Sequence, residues 1–314
     1  MSRLKELLNN KAPLILHGAL GTELEQRGYD VSGKLWSGKY LIENPMAIQE
    51  IHEDYIRAGA DIVTTSTYQA TFPGLAEVGV SSAKAAELIK LTVHLAKAAR
   101  DRVWNSLSDE EKSKRPYPLI SGDVGPYAAY LADGSEYTGD YKIDKESLKD
   151  FHRLRIQILL DEGVDLLALE TIPNAIEAQA LIELLRDEFP QAEAYLSLTS
   201  QDGKTLSDGT EVGDIAHLVD LSDQVLAVGI NCSSPLVVAT FLQELRQETK
   251  KPLVTYPNSG EVYDGATQSW TESPVQSQTL LESTTAWQSL GAKIVGGCCR
   301  TRPADIASLA AHLH

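Results

Sequence analysis

The chain has 314 residues, 43% hydrophobic and 23% charged, the balance of a globular protein with enough apolar material for a large core. A formal net charge of -16 argues against nucleic acid or an anionic membrane surface as partner, because both would repel it, and leaves small molecules as the expected ligands. The amphipathic start Met1–Leu8 is followed by no long apolar stretch, no run reaches the length of a membrane span, and there are only three cysteines, so a reducing, cytoplasmic setting is expected.

In chain order, Pro13–His17 is an apolar run that ends in Gly18-Ala19-Leu20-Gly21-Thr22, a first strand and its turn. Thr22 to Asn44 reads as polar and irregular, with Trp36 and Tyr40 inside it. Pro45 opens a helix to about Ala58, Gly59 ends it, and Ala60–Thr67 is the second strand. Residues 81 to 104 form the longest predicted helix, with Ala86, Ile89, Val93, Ala96 and Val103 on one apolar face. Ser106 to Pro118 is a charged surface connection. The third strand, Leu119–Val124, opens into a polar loop that reaches Asp144, long enough to suggest a functional lid.

A helix over Ser147–Glu162 is expected to bury Leu148, Phe151, Leu154 and Ile158, and Gly163 leads into a fourth strand, Val164–Glu170, that ends on a carboxylate. There follow a helix over Asn174–Glu188, a fifth strand over Ala192–Leu198, a polar loop over Thr199–Val212 and a short helix near Asp214–Leu221. The sixth strand, Val225–Asn231, runs into Cys232. After a helix over Pro235–Gln247 and the seventh strand, Leu253–Tyr256, Pro257–Glu261 begins a third long loop. A helix from about Pro274 to Leu290 delivers the eighth strand from Ala292, and Pro303–His314 closes the chain as a helix. Eight strands alternate with eight helices, glycine recurs in the helix-to-strand turns at Gly59, Gly163 and Gly291, and the loops after the strands are the long ones. That pattern predicts an α/β fold, one (β/α)8 TIM barrel spanning residues 1–314, with its site on the C-terminal rim.

The chemistry concentrates in the cysteines. Cys298 and Cys299 follow two glycines at the end of the eighth strand, and Cys232 follows the sixth. A single cysteine usually serves as a small buried hydrophobe. An odd count does not suggest a disulfide framework, and strands six and eight lie two apart around a barrel, so their ends bring all three thiols to one point. Three thiolates favour a soft or borderline metal, zinc first, with one coordination position left for water or a substrate atom. Three anionic sulfurs make such an ion a poor activator of water, but a substrate thiol bound there would lose its proton and remain able to attack carbon. Alkyl transfer to a thiol is the chemistry that fits.

With these residues in view, Gly296-Gly297-Cys298-Cys299-Arg300-Thr301, Gly229-Ile230-Asn231-Cys232 and Gly18-Ala19-Leu20-Gly21-Thr22-Glu23-Leu24 resemble the homocysteine S-methyltransferase family over almost the whole chain. Leu131-Ala132-Asp133-Gly134-Ser135-Glu136-Tyr137, Ser207-Asp208-Gly209-Thr210 and Tyr256-Pro257-Asn258-Ser259-Gly260-Glu261 resemble the branch that takes its methyl group from S-methylmethionine, or less efficiently S-adenosylmethionine. The resemblance implies Zn2+ on Cys232, Cys298 and Cys299, homocysteine thiolate as fourth ligand, and in-line transfer from the sulfonium to give methionine. It places Glu170 near the homocysteine amino group, with Thr67 and Asn231 lining the same pocket. An aromatic face would suit the sulfonium, and Trp36, Tyr127 and Tyr130 are the candidates.

One departure stands out. The family usually has an aspartate at the end of strand one, where this chain has His17, so a second carboxylate near the substrate amine is missing. Weaker homocysteine binding, a site reshaped for another thiol or selenol, inhibition at low pH through a cationic His17, or a catalytically impaired zinc- or thiol-binding homologue are the open alternatives. A zinc hydrolase on the same barrel is a further rival, disfavoured by the all-cysteine ligand set. A monomer or simple homodimer is the expected assembly.

Overall fold

The computed structural model describes residues 3–10, 12–264, 269–271 and 279–314. Its centre is a barrel of eight parallel strands: β1 (Leu14–Ile15), β2 (Ile62–Thr64), β3 (Leu119–Val124), β4 (Leu166–Ile172), β5 (Ala194–Leu198), β6 (Val225–Asn231), β7 (Leu253–Tyr256) and, after a small hairpin of β8 (Val262–Asp264) and β9 (Ser269–Thr271), β10 (Ala292–Val295). The order β1-β10-β7-β6-β5-β4-β3-β2 follows the chain around the barrel, and a parallel bridge between Leu16 and Ile62 joins β1 to β2. The predicted TIM barrel is the fold.

Alternation along the strands divides the side chains between two cores. Leu14, Leu16, Ile62, Leu119, Leu166, Ala168, Tyr195, Ala227, Val254 and Ile294 fill the barrel interior, and Leu4 and Leu8 of the helix Arg3–Leu8 join that cluster and plug the N-terminal end. The intervening residues, such as Ile15, Val63, Ile120, Leu167, Leu169 and Val228, pack outward against the helices. The helix Pro45–Ala58 starts with proline at its first turn and buries Ile48, Ile51, Tyr55 and Ile56. Glycine ends the predicted turns in the left-handed conformation, with φ of 110° at Gly59, 72° at Gly163 and 102° at Gly291.

Some expectations are revised. The stretch Thr22 to Asn44 is not irregular: it holds a helix at Gly21–Gln26, a 3-10 turn at Trp36–Lys39 and a helical turn at Tyr40–Glu43. The surface connection after residue 106 includes the helix Asp109–Ser113, closed by a reciprocal capping box between Ser108 and Glu111. Leu154 is 48% exposed rather than buried, on the outer face of the helix Lys145–Asp161. The expected start of a helix at Pro274 lies outside the described residues; within them the helix spans Leu280–Ser289. Among the described residues no helix is long and apolar enough to cross a membrane.

Close packing of β6 on β7 depends on Gly229, which pairs with Val254: a Cβ at residue 229 would lie 1.7 Å from the Val254 carbonyl oxygen. Backbone cannot yield as a side chain can. Gly229→Ala is expected to cost about 3 kcal/mol and to lower the melting temperature by roughly 6–12 °C, measured by thermal denaturation; an unchanged melting point would contradict the packing argument.

Candidate metal centre and substrate cavity

At the C-terminal rim, Cys232 leaves β6 in the left-handed conformation, with φ 49°, which turns its side chain across the barrel mouth. Cys298 and Cys299 sit in the turn after β10, fixed by the loop after β7: Cys298 donates its amide to the Pro257 carbonyl (2.8 Å), Cys299 donates to Asn258 Oδ1 (3.2 Å), and Ser259 donates to the Cys299 carbonyl (3.0 Å). The three sulfurs all lie within 4.8 Å of one another, and Cys232 Sγ is 3.8 Å from Cys299 Sγ. Tetrahedral zinc with bonds of about 2.3 Å has sulfur–sulfur edges of roughly 3.8 Å, so the donor set fits such an ion. This is the one grouping of its kind among the described residues.

Three thiols this close disfavour one another's ionisation. Hydrogen bonds from Cys298 and Cys299 pull the Cys232 thiol well below its ordinary range, and the same contact with Cys232 pushes Cys298 and Cys299 well above theirs. The first negative charge in the cluster disfavours two more. Tyr137 Oη stands 3.7 Å from Cys232 Sγ.

The sulfurs face a cavity of about 490 Å³ whose wall includes His17, Trp36, Tyr68, Asp123, Glu136, Tyr137, Glu170, Thr171 and Tyr256. Glu170 reaches it on the inward register of β4, and a bulge follows at Thr171. The β4–β5 register shifts between Leu169 and Ile172, and Thr171 adopts φ 62°, an outlier for a β-branched residue. Asn231 holds that bulge: its Oδ1 accepts from the Thr171 amide (2.9 Å) and from Ser197 Oγ (2.8 Å), and its Nδ2 donates to Thr171 Oγ1 (2.8 Å). Tyr256 donates its hydroxyl to Glu170 Oε2 at 3.0 Å. Burial, followed by the nearby charge of Asp123, raises the Glu170 pKa well above the carboxylate range.

The candidate residues from the sequence therefore separate. Cys232, Cys298, Cys299, Glu170, His17 and Trp36 share the cavity. Thr67 and Asn231 are fully buried beneath it, and their side chains hold backbone, Thr67 by donating to the Asp123 carbonyl at 2.7 Å. Tyr127 and Tyr130 pack with Tyr141 and Phe151 in an aromatic cluster away from the wall. Sequence reasoning did not single out Tyr68, Asp123, Glu136, Tyr137 or Thr171 as site residues. For Asp123 a signal existed, because it lies on the inward-facing register of β3 with Leu119 and Ser121; for Glu136 only its stretch was flagged.

The loops after β3 and β5 meet over this mouth. Thr199 Oγ1 donates to the Glu136 carbonyl (2.9 Å), Gln201 Nε2 donates to the Tyr137 carbonyl (2.6 Å), and Gly139 packs against Asp208. The loop after β3 is also tied from behind, where the Tyr127 amide (2.7 Å) and the Tyr141 hydroxyl donate to the buried Glu177, itself paired with His152 at 2.7 Å.

His17 belongs to the outward register with Ile15. Its ring packs edge-on against Tyr55 (centroids 5.7 Å apart), and its Nδ1 meets the Gly18 carbonyl. Burial lowers its pKa to about 4, only partly offset by the Gly18 carbonyl, and so favours the neutral ring. His52, behind it, is lowered by burial to about 3 and has no partner at Nε2. A folded-state pKa below the unfolded value of about 6.5 means that the unfolded chain alone takes up a proton as pH falls, so stability from His52 is present above pH 6.5 and declines below it. The melting temperature of His52→Gln, relative to the unsubstituted chain, is therefore expected to improve as pH is lowered from 7.5 to 5; parallel curves would contradict it.

Residues 14–313 match the family model described as homocysteine S-methyltransferase. The chain is 43% identical over 311 residues to homocysteine S-methyltransferase YbgG of Bacillus subtilis (strain 168), covering 99% of this chain and 98% of that one. It is 46% identical over 308 residues to the homocysteine S-methyltransferase of Escherichia coli (strain K12), covering 98% and 97%. The crystal structure of the metallated form of the homocysteine methyltransferase MmuM from Escherichia coli superposes with a TM-score of 0.87 at 45% identity, covering 98% of this chain and 99% of that one. With matches over nearly the full length of both partners, the chain belongs to the homocysteine S-methyltransferase family.

Proposed function

We propose that this chain transfers a methyl group from a sulfonium donor, S-methylmethionine foremost, to the sulfur of homocysteine, yielding methionine. The observation that carries the reading is the convergence of Cys232, Cys298 and Cys299 at the floor of a cavity large enough for two amino-acid-sized reactants. A zinc ion held by these three residues would supply a position at which a thiol loses its proton and keeps its nucleophilicity. That MmuM, a structural relative, has a metallated form supports a metal role for this cysteine cluster.

The remaining work falls to the chain. Glu170, fixed by the Asn231-clamped bulge and by Tyr256, receives the substrate ammonium and orients the thiol toward the cysteines. Tyr68, Tyr137 and Trp36 offer aromatic faces for the sulfonium. Glu136 has an oxygen without a hydrogen-bond partner, and burial raises its pKa to about 7; a cationic donor beside it favours the ionised form. In the transfer, a sulfur lone pair of homocysteine forms the new bond to the methyl carbon while the bond from that carbon to the sulfonium breaks, its electron pair leaving a neutral thioether. Opposite charges are annihilated, so the loops joined across the mouth favour the step by excluding water.

Methionine formation from homocysteine and S-methylmethionine by the zinc-loaded protein tests the reading. Turnover is expected, and it should fall to background, together with bound zinc, in Cys298→Ala or after chelation. Zinc-loaded protein with no turnover would count against it. Glu136→Gln is expected to raise KM for the donor about tenfold with KM for homocysteine unchanged, which steady-state kinetics with each substrate varied would check.

A further inference from the structure

We infer that Asp123 is the second carboxylate of the substrate-ammonium pocket, so that this chain grips the amino group of its thiol substrate between β3 and β4. The inference rests on the reading of the cavity as a homocysteine site and adds the residue that replaces the strand-one acid. Asp123 shares the inward register of β3 with Leu119 and Ser121, as Glu170 shares that of β4 with Leu166 and Ala168. In the ladder Asp123 pairs with Ala168, two residues before Glu170, which brings both carboxyls to neighbouring points of one wall.

Asp123 is 3% exposed, lines the cavity, and has one carboxylate oxygen, Oδ1, with no hydrogen-bond partner. A buried orphan acceptor in a substrate cavity is costly unless a ligand donor completes it. The nearest cation does not do so. Arg155 directs its guanidinium to the carbonyls of Thr67 (3.3 Å) and Gly125 (2.7 Å) and to His152 Nδ1 (2.9 Å), and forms no ion pair with Asp123 within 4.0 Å. Burial raises Asp123 to about 8, Arg155 and the backbone amides of Gly125 and Tyr68 only partly offsetting it, and Asp123 in turn raises Glu170. Two neighbouring buried acids that disfavour each other's charge are both favoured by one cation between them. A protonated primary amine on the thiol substrate is that cation, and the neutral His17, turned toward Tyr55, takes no part.

Calorimetric titration of zinc-loaded protein with homocysteine and with 4-sulfanylbutanoic acid, the same thiol without its amino group, separates the possibilities. The unsubstituted chain is expected to prefer homocysteine, and Asp123→Asn should reduce that preference about tenfold or more, with zinc content and affinity for 4-sulfanylbutanoic acid unchanged. Equal loss for both thiols, accompanied by a lower melting temperature, would make Asp123 a structural counter-charge to Arg155 and overturn the inference. An unchanged preference would overturn it as well, leaving the homocysteine reading intact, whereas failure of the unsubstituted chain to bind either thiol would overturn both. Should Asp123→Asn not fold, a crystal structure of the unsubstituted protein with homocysteine decides: its nitrogen within hydrogen-bond distance of both Asp123 and Glu170 supports the assignment, and contact with Glu170 alone refutes it.

Discussion

The structure depends on bringing three thiols from two distant parts of the chain to one buried point. No local motif could do this, because Cys232 and the Cys298–Cys299 pair are carried by separate strands that become near neighbours only when the barrel closes through β7. The backbone around them is correspondingly constrained. Cys232 and Arg300 both adopt positive φ, 49° and 65°, and such conformations persist when surrounding contacts over-determine them. Here the Pro257, Asn258 and Ser259 hydrogen bonds hold one side, and the Arg300 amide, donated to Thr22 Oγ1 at 2.8 Å, holds the other. Strain at the sulfurs is thus balanced by the first turn and by the loop after β7.

The same logic extends from the sulfurs to the carboxylates. The barrel interior is apolar at its plugged end, where Leu4 and Leu8 meet Leu14 and Ile294. It becomes polar toward the rim, through Thr64 hydrogen-bonded to Ser121 (2.8 Å) and Ser197 bonded to Asn231, and ends in Asp123 and Glu170. A polar group deep in a barrel needs a partner, and the intermediate layer supplies partners to its own members. The layer above it leaves buried oxygens of Asp123 and Glu136 without a partner in residues that line the cavity. Asn231 links the layers, since it spans Ser197 below and the Thr171 bulge that follows Glu170.

The barrel was legible because its signals are periodic and local: alternating strands, helical faces, and glycine where a left-handed turn is required. β3, β6 and β7 have the predicted limits, as does the helix Pro45–Ala58. The pairing of Cys232 with Cys298 and Cys299 followed from strand order alone. What stayed hidden depends on contacts with no sequence period. The helices at Gly21–Gln26 and Asp109–Ser113 are too short to show a hydrophobic repeat, although Ser108 and Glu111 have the capping-box spacing. The outward turn of His17 reflects a register one residue out of phase with Leu16, and Asn231 reads as a pocket residue until its hydrogen bonds to Thr171 are seen. Tyr127 and Tyr130 have the aromatic character the site calls for, yet it is Tyr29, Tyr68, Tyr137 and Tyr256 that join Trp36 at the wall.

Burial is the largest influence on several titratable groups deep in the mouth. It lowers His17 and raises Asp123, Glu136 and Glu170, in each case favouring the neutral form. Positive charge is scarce there: besides His17, the one basic side chain on the described wall is Lys34, which is paired with Glu77 at 2.6 Å. A cavity with several latent anions and little resident cation favours cationic ligands, because each arrival converts a neutral acid into an ion-paired one. A metal dication, a substrate ammonium and a sulfonium are all cations, and each would relieve a different part of the wall. In the proposed transfer the methyl group would pass from a sulfonium to a thiolate, leaving a neutral thioether, in surroundings whose remaining charges are paired. The fall in charge separation on transfer is then favoured by the same dry environment that made the empty groups costly.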